Sequence, residues 1–264
     1  MNDLELAIAG ARAGADIVLE HFGVRPETSF KGVNDPVTAV DRASEAAIVD
    51  LIRTHRPADA IIAEEGSGSD GGPRRWLIDP LDGTVNFVHG IPQISLSIAL
   101  YDGNEALVGV IADPIRNEIY TATSGGGAYC NEQLISVGDT DQLASAVVAT
   151  GFGYDHDRFA DDYTRPLTAV LERVNGVRRF GSAALDLAWT AMGRFDGYWE
   201  LGVAPWDIAA GILLVREAGG RVTDAFGSSA SPETSVVVAA GPAIHEDLRV
   251  IVERHLPRRM TDRR

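Results

Sequence analysis

The sequence predicts an α/β fold in two parts, an α+β half over residues 1–143 and an α/β half over residues 144–264. Three features point to it: helical periodicity up to Pro57, a change to short alternating apolar runs through the middle, and strand–helix alternation from about residue 144. With 264 residues, 45% of them hydrophobic and 23% charged, the chain can bury a sizeable core.

Leu4, Ile8, Ala11, Ala15, Val18 and Phe22 recur at helical spacing and Gly23 follows as a stop, which predicts an amphipathic first helix. A second helix is read in TAVDRASEAAIVDLIRTHRP, with Val40, Ala47, Leu51 and Ile52 inward and Pro57 ending it. The intervening VRPETSFKGVNDPVT reads as a polar loop. AIIAEE, RWLID, ISLSIALYDG, EALVGVIADP and NEIYTAT are then strand-like, and the Asp-Gly, Asp-Pro and Arg-Asn turn signals between them predict an antiparallel sheet. Beyond residue 144, strands in SAVVATGF, VRRF, FDGYWE, RVTDAF and SVVVAAG alternate with helices expected over 163–174, 182–192, 206–218 and 244–255. GSGSDGG and GSSASPE are too short for linkers and read as surface loops.

Asp and Glu total 38 against 23 Lys plus Arg, a net charge of −15 that repels nucleic acid and anionic membrane. No run approaches the roughly 18 apolar residues of a membrane span. The N-terminal MNDLELAIAGARAG lacks a basic region followed by a long apolar one, so a cytoplasmic location is expected. Cys130 is the single cysteine; it has no neighbouring histidine to activate it and reads as an idle thiol. Lys31 is the only lysine among the basic residues. The arginine excess reads as genomic base-composition bias, and the surviving lysine marks a place where a compact ammonium differs from a planar guanidinium.

The sharpest local feature is WLIDPLDGTVNF, in which an apolar strand runs into Asp79 and Asp82 with Pro80 between them and Gly83-Thr84 after. Such aspartates commonly cap turns and helices. Here, however, Glu64 and Glu65 close the preceding strand, and Asp207 opens an apolar helix in WELGVAPWDIAAG, so three chain segments offer acids at element ends. Clustered carboxylates resist ionisation unless cations neutralise them. Oxygen ligands with no His-Cys pattern favour Mg²⁺, and Glu64, Asp79, Asp82 and Asp207 would balance two such ions, an arrangement suited to displacement at phosphorus. Gly83 and Thr84 add backbone amides for phosphate and a hydroxyl for water.

DPLDGTVNF together with WDIAAGILLVREAGG closely resembles the two signature motifs of the inositol monophosphatase family, lithium-sensitive Mg²⁺-dependent phosphatases. The resemblance extends to FKGVNDPVTAVD, AEEGS and RRFGSAALDLAWTAMGRFDGYWE, nearly the whole chain. It implies a layered αβαβα fold shared with fructose-1,6-bisphosphatase, two or three Mg²⁺ ions and a homodimer. It also implies that Glu64, Asp79 and the Leu81 carbonyl hold one ion, while Asp79, Asp82 and Asp207 hold the second. Glu64 and Thr84 would orient the attacking water, the Gly83 and Thr84 amides would hold phosphate, and Lys31 and Asp41 match outer positions near a weaker third ion. Gly181, Ser182, Ala183 and Glu200 match the pocket for the alcohol; Ser182 stands where many animal members carry threonine.

The implied reaction is hydrolysis of inositol-1-phosphate or a similar small polyol phosphate. Histidinol phosphate, fructose-1,6-bisphosphate and 3'-phosphoadenosine remain alternatives, although Asn86-Phe87 after the D-G-T favours the inositol-type branch over the adenosine type. A different class, a regulatory protein-binding partner in transcription, also stays open. His89 is expected to serve a helix or turn, Trp206 to anchor the Asp207 helix in the core, and SGGGAYCNEQ, which lacks a Walker lysine, to form a β-turn.

Overall fold

Asn2 starts the first helix, α1 (Asp3–His21), through a capping box with Glu5, and Gly23 at φ +83° follows its end. The structure is a computed structural model that describes residues 1–24, 28–32, 35–257 and 259. Where a polar loop was expected, Thr28–Gly32 (β1) and Asp35–Thr38 (β2) pair as an antiparallel hairpin, while residues 25–27 and 33–34 of that stretch lie outside the described residues. Its sequences TSFKG and DPVT carry too little hydrophobic alternation to signal strands. Thr38 and Asp41 form a second capping box that opens α2 (Ala39–His55).

The strands β3 (Ala60–Ala63) and β4 (Arg74–Asp82), the short helix α3 (Thr84–Val88), and β5 (Ser95–Asp102), β6 (Glu105–Asp113), β7 (Glu118–Thr123), β8 (Gly127–Cys130) and β9 (Gln133–Leu134) follow. These seven strands lie in chain order in one sheet. It is antiparallel as expected except at β3, which runs parallel to β4 because residues 64–73 carry the chain back to the same end. SGGGAYCNEQ holds two turns, at 124–126 and 131–132, with β8 between them and β9 beginning at Gln133.

The remainder comprises β10 (Val147–Thr150), α4 (His156–Leu171), β11 (Gly176–Arg178), α5 (Ala183–Ala191), β12 (Gly197–Leu201), α6 (Pro205–Glu217), β13 (Arg221–Asp224), β14 (Val236–Ala240) and α7 (His245–Arg254). Its strands form a mixed sheet in the order β11-β10-β12-β14-β13. α4 begins earlier than periodicity suggested and bends at Phe159, upstream of Pro166.

Three cores stack the elements into αβαβα layers. Leu6, Ile48 and Ile52 of α1 and α2 cover one face of the first sheet at Trp76, Ile78 and Ile98. α5 and α6 fill the space between the sheets, where Leu187, Ile208 and Leu214 meet Leu77, Ile111, Tyr198 and Val237. Tyr163, Val170, Leu248 and Val252 of α4 and α7 close the far face over Val148, Trp199 and Val238. Successive strand residues point to opposite faces, so Leu77 and Ile78, or Tyr198 and Trp199, serve different cores.

The buried stripe of α1 is rotated from the expected one: Leu6, Ala7, Gly10, Ala11, Gly14 and Val18 face the core, with Leu4, Ile8 and Ala15 at its margin. The helix is apolar on more than one face, and close approach selects the glycine stripe. A Cβ at Gly14 would lie 2.5 Å from Leu96 Cδ2. In α2, Ile48 and Val49 are buried, while the expected Ala47 and Leu51 are partly exposed. No described helix is long and apolar enough to cross a membrane.

Candidate active site

The pairing of β4 with β5 matches Asp79 to Ser97 and Asp82 to Ser95, so three steps on β4 oppose two on β5. This is a β-bulge, and Pro80, which has no N–H to contribute to a ladder, sits inside it. In a regular strand, residues three apart face opposite sides. The extra residue brings both carboxylates to one cavity of about 310 Å³. Asp79 Oδ1 accepts the Leu81 amide at 3.0 Å, which stabilises the bulge. Gly83 then takes φ +91°, and a Cβ there would meet the Gln93 carbonyl oxygen at 2.9 Å, so glycine is required to turn β4 into α3.

Glu64 and Asp207 line the same cavity. The turn after β3 that carries Glu64 is tied down by the buried Glu45 of α2, which accepts the Glu65 amide at 2.6 Å and the Ser67 amide at 2.9 Å. Asp207 sits in the first turn of α6 and accepts the Ala204 amide at 2.7 Å. Lys31 on β1 reaches both acids of the turn, with Nζ 3.0 Å from Glu64 and 2.5 Å from Glu65.

Thr84 Oγ1 lies 3.1 Å from both Asp41 Oδ1 and the Leu81 carbonyl oxygen. Its single proton serves one of them, and the oxygen keeps its lone pairs. Asp41 is held in turn by the Thr38 amide at 2.9 Å and the Thr38 hydroxyl at 2.5 Å. The Leu81 side chain is buried with Val18, Val40, Phe87 and Ile94, leaving its carbonyl as the group at the site.

Asp82 joins the two sheets' elements. Its Oδ2 accepts Ser182 Oγ at 2.7 Å, the Ala184 amide at 2.8 Å and Ser95 Oγ at 3.3 Å. Gly181 and Ala183 line the cavity, as does Glu200 of β12. Ser182 lies behind that wall: its hydroxyl faces Asp82 and accepts the Leu185 amide as the N-cap of α5. Asn86 Nδ2 donates to the carbonyls of Gln93 at 2.7 Å and Phe180 at 2.8 Å, lacing α3 to the Gly181 segment.

Trp206 is half-buried in the cavity wall rather than in the core, a correction that follows from its place in the first turn of α6, which borders the cavity. His89 is an exposed residue at the end of α3, and Cys130 is a buried thiol whose pKa burial raises. The roles of Glu45 and Asn86 had no sequence signal, because their partners are distant in the chain.

A profile of the inositol monophosphatase family matches residues 2–256. The chain belongs to the inositol monophosphatase family. It is 42% identical over 249 residues to a Pasteurella multocida protein named Nus factor SuhB, covering 93% of each chain, and 42% identical over 234 residues to inositol-1-monophosphatase of Rhizobium meliloti, covering 88% of each. The inositol monophosphatase structure from Anabaena superposes with a TM-score of 0.87 at 37% identity, covering 96% of both chains.

In this member of the inositol monophosphatase family the acids carry a strong electrostatic load. Burial, then Glu64, Asp82 and Asp207, push the Asp79 pKa well above the ordinary carboxyl value, and burial with Asp82 does the same to Asp207. Burial also raises Glu64, with Lys31 opposing it, and raises Asp82 against hydrogen bonds led by Ser182. Burial works against the Lys31 ammonium, yet Glu65 and Glu64 hold its pKa above the usual lysine value. Among the described residues no three acidic, His or Cys side chains already close into a metal cage. The donor set nevertheless fits a hard divalent cation: carboxylate and carbonyl oxygens line one cavity, mutually repelling, with Glu64, Asp79, Asp82, Asp207 and Glu200 facing only Lys31 and Arg179 among the lining residues.

Proposed function

We propose that the chain hydrolyses a small polyol phosphate, foremost inositol-1-phosphate, by direct attack of water on phosphorus, with two or three Mg²⁺ ions as cofactor. The observation that carries this reading is the convergence of Glu64, Asp79, Asp82 and Asp207 on one cavity beside the Gly83-Thr84 turn. Glu64, Asp79 and the Leu81 carbonyl would hold one ion, and Asp79, Asp82 and Asp207 the second, with Lys31 and Asp41 near a third. Mg²⁺ held there supplies the positive charge that keeps the acids ionised side by side and acidifies the attacking water.

Glu64 would accept that water's proton as the P–O bond to the alcohol breaks, and the departing alkoxide would take a proton from solvent water in the cavity. Thr84, its own proton engaged by Asp41 or Leu81, offers a lone pair that fixes the water's approach. The Gly83 and Thr84 amides bind the phosphate, and Gly181, Ala183 and Glu200 receive the alcohol. On this reading residues 1–143 carry most of the ligands and residues 144–264 add Asp207 and the alcohol pocket. Lithium inhibition, a homodimer and a cytoplasmic location belong to the same proposal. Histidinol phosphate and fructose-1,6-bisphosphate are the alternatives within the fold. Steady-state kinetics on a panel of inositol, histidinol, fructose and adenosine phosphates, with Mg²⁺ and with EDTA, tests it. Inositol-1-phosphate should lead the panel, and no turnover of any ester with Mg²⁺ would sink the reading.

The relative named Nus factor SuhB favours a second reading, a regulatory protein-binding role beside the hydrolase. It expects a protein partner to bind the Asp82→Asn variant as tightly as the parent chain.

A further inference from the structure

Tyr198 and Glu200 lie two apart on β12 and therefore share one face of the strand. The Tyr198 hydroxyl, fully buried between the sheets, donates to Glu200 Oε2 at 2.6 Å. On the other side of the carboxylate stands Gly151, one residue beyond the parallel pairing of Thr150 with Trp199. A Cβ at Gly151 would come within 2.1–2.2 Å of the Glu200 carboxylate atoms, so the acid rests against bare backbone. Glu200 Oε1 has no protein hydrogen bond among the described residues, although both Glu200 and Gly151 line the cavity.

We infer that Tyr198 is a positioning residue for binding of the leaving alcohol: with Gly151 behind, it clamps Oε2 of Glu200 and leaves Oε1 aimed at a hydroxyl of the substrate. The inference rests on the phosphomonoesterase reading above and adds to it the residues that hold Glu200 in place. A carboxylate pinned at one oxygen presents the other with no orientational freedom to lose on binding, so the subsite discriminates by hydrogen bonding. Burial raises the Glu200 pKa to about 7, with the Tyr198 hydrogen bond and Arg179 opposing; loss of the tyrosine hydroxyl would weaken the charged acceptor as well as free it.

The experiment compares the parent chain with Tyr198→Phe and Gly151→Ala on two esters with Mg²⁺: inositol-1-phosphate, and phenyl phosphate, whose leaving group has no further hydroxyl. Phe removes the clamp. Ala has space only if the flexible carboxylate moves, and the backbone at Gly151 does not require positive φ. For both variants the ratio of the two kcat/KM values should shift toward phenyl phosphate by about tenfold, the effect of one hydrogen bond, and through the KM for inositol-1-phosphate rather than kcat. A merely structural tyrosine would lower the melting temperature and leave that ratio alone, which would overturn the inference while the phosphatase reading stands. A parent chain that hydrolyses neither ester would overturn both. Should Gly151→Ala fail to fold, Tyr198→Phe decides by the same ratio.

Discussion

Asp82 and Ser182 stand 100 residues apart in the chain, and the serine hydroxyl donates to the aspartate at 2.7 Å. The same hydroxyl caps α5 by accepting the Leu185 amide at 3.3 Å, so one side chain both starts a helix of the second half and aims an acid of the first. Ser182→Ala should therefore cost about 1 kcal/mol of stability through the lost cap. It should also weaken Mg²⁺ activation by roughly 10- to 100-fold through the misdirected carboxylate. Ser182→Thr keeps the hydroxyl and should retain most of both. Thermal melts and Mg²⁺ titrations of activity check this; an alanine variant that needs no more Mg²⁺ than the parent would count against it.

Thr84 and Glu64 separate orientation from proton transfer. Glu64→Gln preserves size and removes the base, and should lower turnover by roughly 10²–10⁴. On the proposed mechanism Thr84→Ala should lower turnover by less than Glu64→Gln, since it keeps the base and removes the hydroxyl that orients water and bonds Asp41 or the Leu81 carbonyl, and Thr84→Ser should recover much of that loss. If Thr84 merely braces Asp41 and the Leu81 carbonyl, alanine would depress the melting temperature with turnover unchanged at saturating Mg²⁺.

Cation removal should couple to pH. The Asp79 and Asp207 carboxyls have folded-state pKa values well above the ordinary 3.8, from burial and from their neighbours. A carboxyl with a raised folded pKa binds its proton more tightly when folded, so its contribution is full below 3.8 and is lost as pH climbs through the raised value. Protein treated with EDTA should melt at lower temperature as pH rises from about 5 to about 8. Added Mg²⁺ should restore more stability at the upper end. Calorimetry at matched ionic strength measures the difference, and a Mg²⁺ effect that shrinks with rising pH would contradict the assigned cation site.

His245, buried at the start of α7, titrates in the opposite sense. Its Nε2 lies 3.2 Å from Thr223 Oγ1 and 3.3 Å from the Val238 carbonyl. Burial, then Arg221, lowers its pKa from 6.5 to about 4. The neutral ring is favoured in the folded chain, so its contribution is present above 6.5 and falls away as pH drops toward 4. His245→Gln should flatten the stability loss over that range. Equal melting-temperature slopes for parent and variant between pH 6.5 and 4 would rule the residue out.

Most helices and strands, Gly23 as the stop of the first helix and the acidic D-P-x-D-G-T stretch were legible in the sequence, because periodicity and turn chemistry depend on residues within a few positions of one another. The same locality misled at Trp206, placed in the core by its apolar neighbours, and at the polar stretch that forms the β1–β2 hairpin. Only tertiary structure decided that Asp79 and Asp82 face one cavity, since the bulge around Pro80 exists only against Ser95 and Ser97 of β5. It also decided that Glu45 anchors the Glu64 turn, that Asn86 grips the Phe180 carbonyl, and that Ser182 serves Asp82. Those bonds join groups that share no sequence spacing. They form because packing two sheets around α5 and α6 strips water from polar side chains, which must then find partners in other elements of the fold.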